Sequence, residues 1–288
     1  MSGRGLYNGR MLTIDDHRRD SAGLRYVYPV ISRRAGGVSI GINLNVNNAC
    51  NWACVYCQVE NLTRGGPPSI DLELLERELE SFLGDALHGD FLSREVPADA
   101  RRLMDIAFSG NGEPTSAAEF PEAVRAVRRV LERRGLAGQL PVRLITNGSL
   151  LHRPGVREGI RVLGELGGEV WFKIDRATAA EVETINGVPM DAGKIRGNLS
   201  RCAGLATTWV QTCWFALDGV APDAAARDAY CALLTPVASR LAGVHLYGLA
   251  RPSMQPAAPR LQRLGAAELE KFAAEIREKT GIRVSVSP

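Results

Sequence analysis

Residues 39–46 read SIGINLNV, and residues 47–57, which follow without a break, read NNACNWACVYC. The first segment alternates apolar and polar side chains with the two-residue period of a strand that buries one face. The second spaces Cys50, Cys54 and Cys57 as C-x3-C-x2-C. The decisive feature is the junction: a thiol-rich loop sits at the C-terminal end of a strand, where open α/β sheets and α/β barrels carry their chemistry.

Working outward, the same strand-then-helix unit recurs. Leu103 to Phe108, Val142 to Ile145, Glu169 to Ile174, Thr207 to Ala216 and Val244 to Leu249 are short apolar runs of strand length. Between them lie segments with helical spacing. The first begins at Asp71, a suitable N-cap, and carries Leu72, Leu75, Leu79, Phe82 and Leu83. Further helices are predicted over 117–134, 153–165, 189–204, 222–240 and 266–280, and a short closing strand over 282–286. Parallel neighbours need crossover connections, so alternating strands and helices imply a parallel sheet, wound either into an open doubly wound sheet or into a barrel. The first 37 residues hold seven arginines and three aspartates and read as an irregular N-terminal extension, with one barrel domain over 38–288.

The chain has 288 residues with 45% hydrophobic content, enough for a large core and too much for a disordered chain. No run of about 18 uncharged apolar residues is present, so no membrane span is expected. The N-terminus shows charged residues and no apolar signal core, which leads to the expectation of a cytoplasmic protein. Thirty-five basic residues against 32 acidic ones give a net charge of +3, too balanced to argue by itself for a nucleic-acid partner.

Without a secretion signal, three cysteines within eight residues point to metal or redox chemistry before a disulfide framework. Soft, anionic thiolates suit an iron–sulfur cluster. With three cysteines in the loop, one iron of a four-iron cluster would stay open to an outside ligand. A zinc site is the rival, but zinc wants a second cysteine pair or a histidine, and all four histidines lie more than thirty residues away from these cysteines. Cys202, Cys213 and Cys231 fall on separate elements and read as buried free thiols, with an auxiliary cluster as the alternative.

The other strand ends carry polar clusters. Ser109-Gly110-Asn111-Gly112-Glu113 offers two glycines for close backbone approach and one carboxylate, or else a plain turn with Glu113 as a helix-start acid. Thr146 and Asn147 precede Gly148, so a simple Asn–Gly turn is the bland reading. Lys173 and Asp175 share a face and are expected to point into the barrel, as ligand contacts or as a structural ion pair. Arg251, after the sixth strand, is a candidate for a substrate anion or a solvated arginine.

The C-x3-C-x2-C loop, with aromatic Tyr56 before its last cysteine, resembles that of the radical S-adenosylmethionine (radical SAM) superfamily. The resemblance implies a partial (β/α)6 TIM-like barrel, a [4Fe-4S] cluster on Cys50, Cys54 and Cys57, and S-adenosyl-L-methionine on the open iron. It further implies reductive cleavage to a 5'-deoxyadenosyl radical that abstracts hydrogen from a substrate. Tyr56 would lie beside the adenine. The stretch Ser109, Gly110, Asn111, Gly112 and Glu113 would hold the methionyl ammonium, with Asn111 a mild departure from the usual glycine. Thr146 and Asn147 would face the ribose or carboxylate, and Lys173 and Asp175 would be further cofactor contacts. An external one-electron donor of flavodoxin or ferredoxin type is implied, because no flavodoxin-like segment is evident. Over about residues 26–255, stretches such as Ser32-Arg33-Arg34, Ile185-Asn186-Gly187 and Ala250-Arg251-Pro252 look like a subgroup of iron–sulfur oxidoreductases related to wybutosine tRNA-modification enzymes. The substrate is therefore expected to be a small molecule or peptide, with tRNA as the alternative. A non-catalytic iron–sulfur or zinc protein is the reading from another class.

Overall fold

A computed structural model describes residues 11–13, 22–32 and 36–288. Eight strands form one sheet: β1 (Val27–Ser32), β2 (Gly37–Ile42), β3 (Leu103–Phe108), β4 (Val142–Thr146), β5 (Glu169–Lys173), β6 (Thr207–Cys213), β7 (Gly243–Tyr247) and β8 (Val284–Ser287). Their order across the sheet follows the chain. β1 pairs with β2 antiparallel, and every later neighbour is parallel. The parallel run curls into a half-barrel with its helices outside, as the strand–helix alternation requires.

Seven helices cover the outer face: α1 (Leu72–His88), α2 (Phe120–Arg133), α3 (Pro154–Glu165), α4 (Ala179–Asn186), α5 (Ala192–Ala203), α6 (Ala224–Leu234) and α7 (Ala266–Thr280). Asp71 caps α1 by accepting from the Leu74 amide at 2.9 Å. The apolar stripes read from sequence are the buried faces: Leu75, Leu79, Phe82 and Leu83 on α1, Val124, Val127 and Leu131 on α2, and Leu269, Phe272, Ala273 and Ile276 on α7. Among the described residues no helix is long and apolar enough to cross a membrane.

Two local expectations are corrected. Val27–Ser32, expected to be irregular, is strand β1. Its entry is held by the buried carboxylate of Glu78, which accepts from the Arg25 and Tyr26 amides at 2.8 Å each. That support comes from α1, fifty residues on, and so leaves no local signal. The first strand of the barrel also ends at Ile42 rather than Val46, because Asn43 and Asn45 turn their side chains to backbone and loop partners. The remaining part of the predicted extension, apart from residues 11–13, 22–26 and 36–37, lies outside the described residues.

Strand alternation sorts the side chains. On β5, Val170 and Phe172 are buried in the core under the helices. Trp171 and Lys173 take the opposite face and point into the barrel. At the N-terminal end the barrel is closed by its own residues. Asp105 accepts from Ser39 and from Arg143, whose guanidinium lies 5.1 Å over the Trp171 ring. Trp171 then meets His245 at a tilt, with ring centroids 4.8 Å apart, His245 stacks on Trp209 at 4.3 Å, and Arg283 sits 4.4 Å over Trp209.

Candidate active site

The opposite end of the barrel gathers the predicted residues. The cysteine loop leaves β2, makes a two-residue pairing with Thr63–Arg64 through Ala49–Cys50, and runs over the mouth. All three of its thiols are half-buried, whereas Cys202, Cys213 and Cys231 are buried. The loop is clamped by two segments that follow other strands of the barrel. The amides of Ala53 and Val55 donate to the carbonyls of Asn186 and Ile185, at 3.0 and 2.9 Å, where α4 ends. From the segment after β7, the Met254 amide, the Ser253 hydroxyl and the Gln255 side-chain amide all donate to the Cys57 carbonyl, at 2.9, 3.2 and 3.2 Å. These bonds fix the backbone on either side of Cys54 and at Cys57.

Gly187 closes α4 with a left-handed φ of 69°, and a Cβ there would stand 3.0 Å from that of Ala53. Glycine thus lets the helix end and the loop meet. α4 lies between two predicted elements and was missed in the sequence reading. Thr178 and Glu181, which form its capping box, were the signal that could have found it.

Burial pushes the Cys50 thiol up to about 11, and also raises Cys54, to about 12. The nearby Cys57 adds to both shifts. Lys173 and a hydrogen bond from Asn186 work the other way at Cys54 and favour its thiolate. Among the described residues no three His, Cys, Asp or Glu side chains converge on one metal-ion position. A four-iron cube takes one thiolate per iron, so its ligands stand apart around it. Three thiols on an anchored, half-exposed loop are a soft donor set that fits such a cluster.

The Gly110–Gly112 turn serves the cysteine loop first. A Cβ on Gly110 (φ 142°) would fall 2.4 Å from Asn43 Oδ1, and one on Gly112 only 2.1 Å from the Ala49 carbonyl. The close approach expected toward a ligand is made toward the neighbouring loop. Asn111 donates its side-chain amide to Asn48 at 2.7 Å, and Ser109 shares a 2.9 Å hydrogen bond with the Tyr28 hydroxyl. Residues 109–112 remain half-exposed at the mouth, but Glu113 is only 3% exposed. Its carboxylate accepts from the Thr115 amide and hydroxyl at 3.1 and 2.5 Å, the Thr146 hydroxyl at 2.6 Å and the Asn147 amide at 2.7 Å. Burial still raises its pKa, against the pull of those donors. Glu113 therefore caps the turn that follows it and ties two strand ends together. Asn147 in turn donates to Asn51 of the cysteine loop at 2.9 Å.

Lys173 and Asp175 both face the mouth but find partners other than each other. Asp175 Oδ2 accepts from Tyr56 at 2.5 Å and Asn186 at 2.9 Å, and Oδ1 accepts from the Cys213 amide at 2.9 Å. Lys173 donates to the Tyr247 hydroxyl at 3.3 Å and lies 4.9 Å from the centre of the Tyr56 ring. Burial opposes its ammonium, yet nearby acidic groups, Tyr247 and Asp175 foremost, hold its pKa above the lysine value. The Tyr56 ring packs edge-on against Phe215 at 5.5 Å. Arg251 reaches Gln58 of the cysteine loop at 3.4 Å.

The family model of the Radical SAM superfamily matches residues 44–181, from the cysteine loop into α4. Among curated proteins, a GTPase Obg of Brachyspira hyodysenteriae is 26% identical over 137 residues, covering 46% of this chain and 17% of that protein. UPF0026 protein MJ1312 of Methanocaldococcus jannaschii is 29% identical over 132 residues, covering 46% of this chain and 36% of that protein. The matches thus span well under half of both curated relatives. A radical SAM methyltransferase from Sphaerobacter thermophilus shares the fold at a TM-score of 0.59 and 16% identity, over 91% of this chain and 68% of that one. The anSMEcpe structure with bound AdoMet and Cp18Cys peptide does so at 0.52 and 17%, over 86% and 62%. HydG, a maturase of the [FeFe]-hydrogenase, does so at 0.52 and 12%, over 86% and 50%. A radical SAM family match over residues 44–181 and a common half-barrel are thus what this chain shares with that superfamily.

Proposed function

We propose that this chain is a radical SAM enzyme of the subgroup related to the wybutosine-type iron–sulfur oxidoreductases, acting in the cytoplasm on a small molecule or peptide. The observation that carries this reading is the set of three half-buried thiols at the end of a barrel strand, on a loop clamped by the end of α4 and by the segment after β7. Cys50, Cys54 and Cys57 would hold a [4Fe-4S] cluster. When bound, cluster and S-adenosylmethionine would together supply a 5'-deoxyadenosyl radical able to abstract hydrogen.

The chain's part is to bind, orient and exclude water. The half-exposed backbone of residues 109–112 would border the cofactor, with Tyr56, Lys173 and Asp175 across the mouth. Glu113, Thr146 and Asn147 would act by fixing the strand ends, since their polar groups already bond one another. The aromatic floor would keep solvent from entering beneath. The electron would come from a separate protein of flavodoxin or ferredoxin type.

Anaerobic reconstitution, chemical reduction and assay for 5'-deoxyadenosine test the reading. A protein with an intact, reduced cluster that forms none rejects it. The anSMEcpe structure holds a peptide, which supports a peptide-sized substrate here. tRNA, suggested by the subgroup resemblance, is tested by titrating binding against salt: a steep loss of affinity favours RNA, and no binding at low salt removes it.

A further inference from the structure

We infer that Asn186, oriented by Asp175, is a positioning residue that sets the reduction potential of the cluster through Cys54. This rests on the cluster assignment just proposed. Asn186 is the last residue of α4 and only 1% exposed. Its side-chain nitrogen faces two acceptors, Cys54 Sγ at 3.2 Å and Asp175 Oδ2 at 2.9 Å. A primary amide has two N–H groups, so one goes to each. The reversed amide would press its oxygen against a carboxylate oxygen and a thiolate, so the partners fix the orientation.

Asp175 is itself immobilised. Tyr56 donates to the same oxygen, and the Cys213 amide holds the other. The backbone of Asn186 is separately tied to the cysteine loop through Ala53. Sulfur and donor are thus held in register by bonds that do not depend on the amide itself. Among the described residues, Cys54 is the one of the three thiols that receives a side-chain donor from another element. Cys50 Sγ accepts the Trp52 amide of its own loop at 3.4 Å.

Reduction of a bound cluster would place on it one electron from a separate donor protein. No bond forms or breaks in the protein and no proton moves. The added charge is shared with the thiolate sulfurs. A fixed N–H at one sulfur stabilises that charge, and hydrogen bonds to sulfur are among the factors that set such potentials. The amide therefore puts a positive end toward sulfur while its other N–H takes up the carboxylate.

The test is an EPR-monitored redox titration of anaerobically reconstituted wild type, Asn186→Leu and Asn186→Ser. Thr184→Ala, an exposed change on the same helix, is the control. The leucine variant keeps the backbone bonds to the loop and loses the donor; the serine variant keeps a shorter donor. Asn186→Leu with a full iron complement is expected to be about tenfold harder to reduce, about 59 mV more negative for a one-electron couple. Asn186→Ser should fall between it and wild type, and Thr184→Ala should match wild type. An iron-loaded leucine variant with the wild-type potential overturns the inference. So does loss of iron from both variants, which would make Asn186 an assembly residue. A wild type that takes up no [4Fe-4S] cluster removes the cluster reading instead, a result distinct from either.

Discussion

The two ends of the half-barrel are lined by the same strands yet handle buried charge in opposite ways. At the floor, Asp105 meets the Arg143 guanidinium directly, and Arg143 and Arg283 cap a row of Trp171, His245 and Trp209. At the mouth, Glu113 and Asp175 are as deeply buried but, among the described residues, form no direct ion pair. They accept neutral donors from several separate segments. An ion pair satisfies two side chains and closes the space between them. A carboxylate with three or four neutral donors ties several loops together. The floor is thus self-sufficient, while the mouth is a scaffold that holds three sulfurs in place.

The contrast can be broken at either end. The largest effect is expected from Cys54→Ala, which should abolish iron uptake outright, as read by iron content after anaerobic reconstitution; full iron in that variant would remove Cys54 as a ligand. Trp171→Ala at the floor should cost about 3–5 kcal/mol in chemical denaturation, the range for large aromatic truncations. It should still take up iron, and joint loss of both would mean the two ends are one unit.

Gly112→Ala sharpens the picture of the mouth. Its new Cβ would overlap the Ala49 carbonyl beside Cys50. A loss of about 1–3 kcal/mol is expected, together with slower iron incorporation, and wild-type behaviour on both counts would show the contact to be loose.

The smallest effect is a pH slope. Burial raises the Glu113 pKa from 4.5, so the folded chain holds this proton more tightly than the unfolded one. Its contribution to stability is full below the unfolded value and is lost as pH rises through the raised one. The slope is at most about 1.4 kcal/mol per pH unit. Glu113→Gln should flatten that part of the denaturation-versus-pH curve, and an unchanged slope would place its origin elsewhere.

Much of this was legible in the residues. The helix stripes follow from periodicity, because one face must be buried, and the parallel pairing follows from the alternation of strands with helices, because parallel neighbours need crossovers. The cysteine spacing and its place after a strand put the thiols at the mouth. β1 was not legible, since Glu78 on α1 secures its start. Nor was α4, a short helix with a weak apolar stripe. The partners of Glu113, Lys173 and Asp175 were also hidden: alternation says which face a side chain takes, but not which loop supplies its donors.

Sequence alone determined the alternation of elements, the faces they bury and the three thiols at a strand end, because each depends on local spacing. Tertiary structure decided what holds those thiols. Asn186, Ser253 and Gln255 lie 132 to 198 positions along the chain from the cysteines and carbonyls they bond. Only the curling of the sheet brings the ends of β2, β5 and β7 to one mouth, where a donor far along the chain can reach sulfur or the backbone beside it.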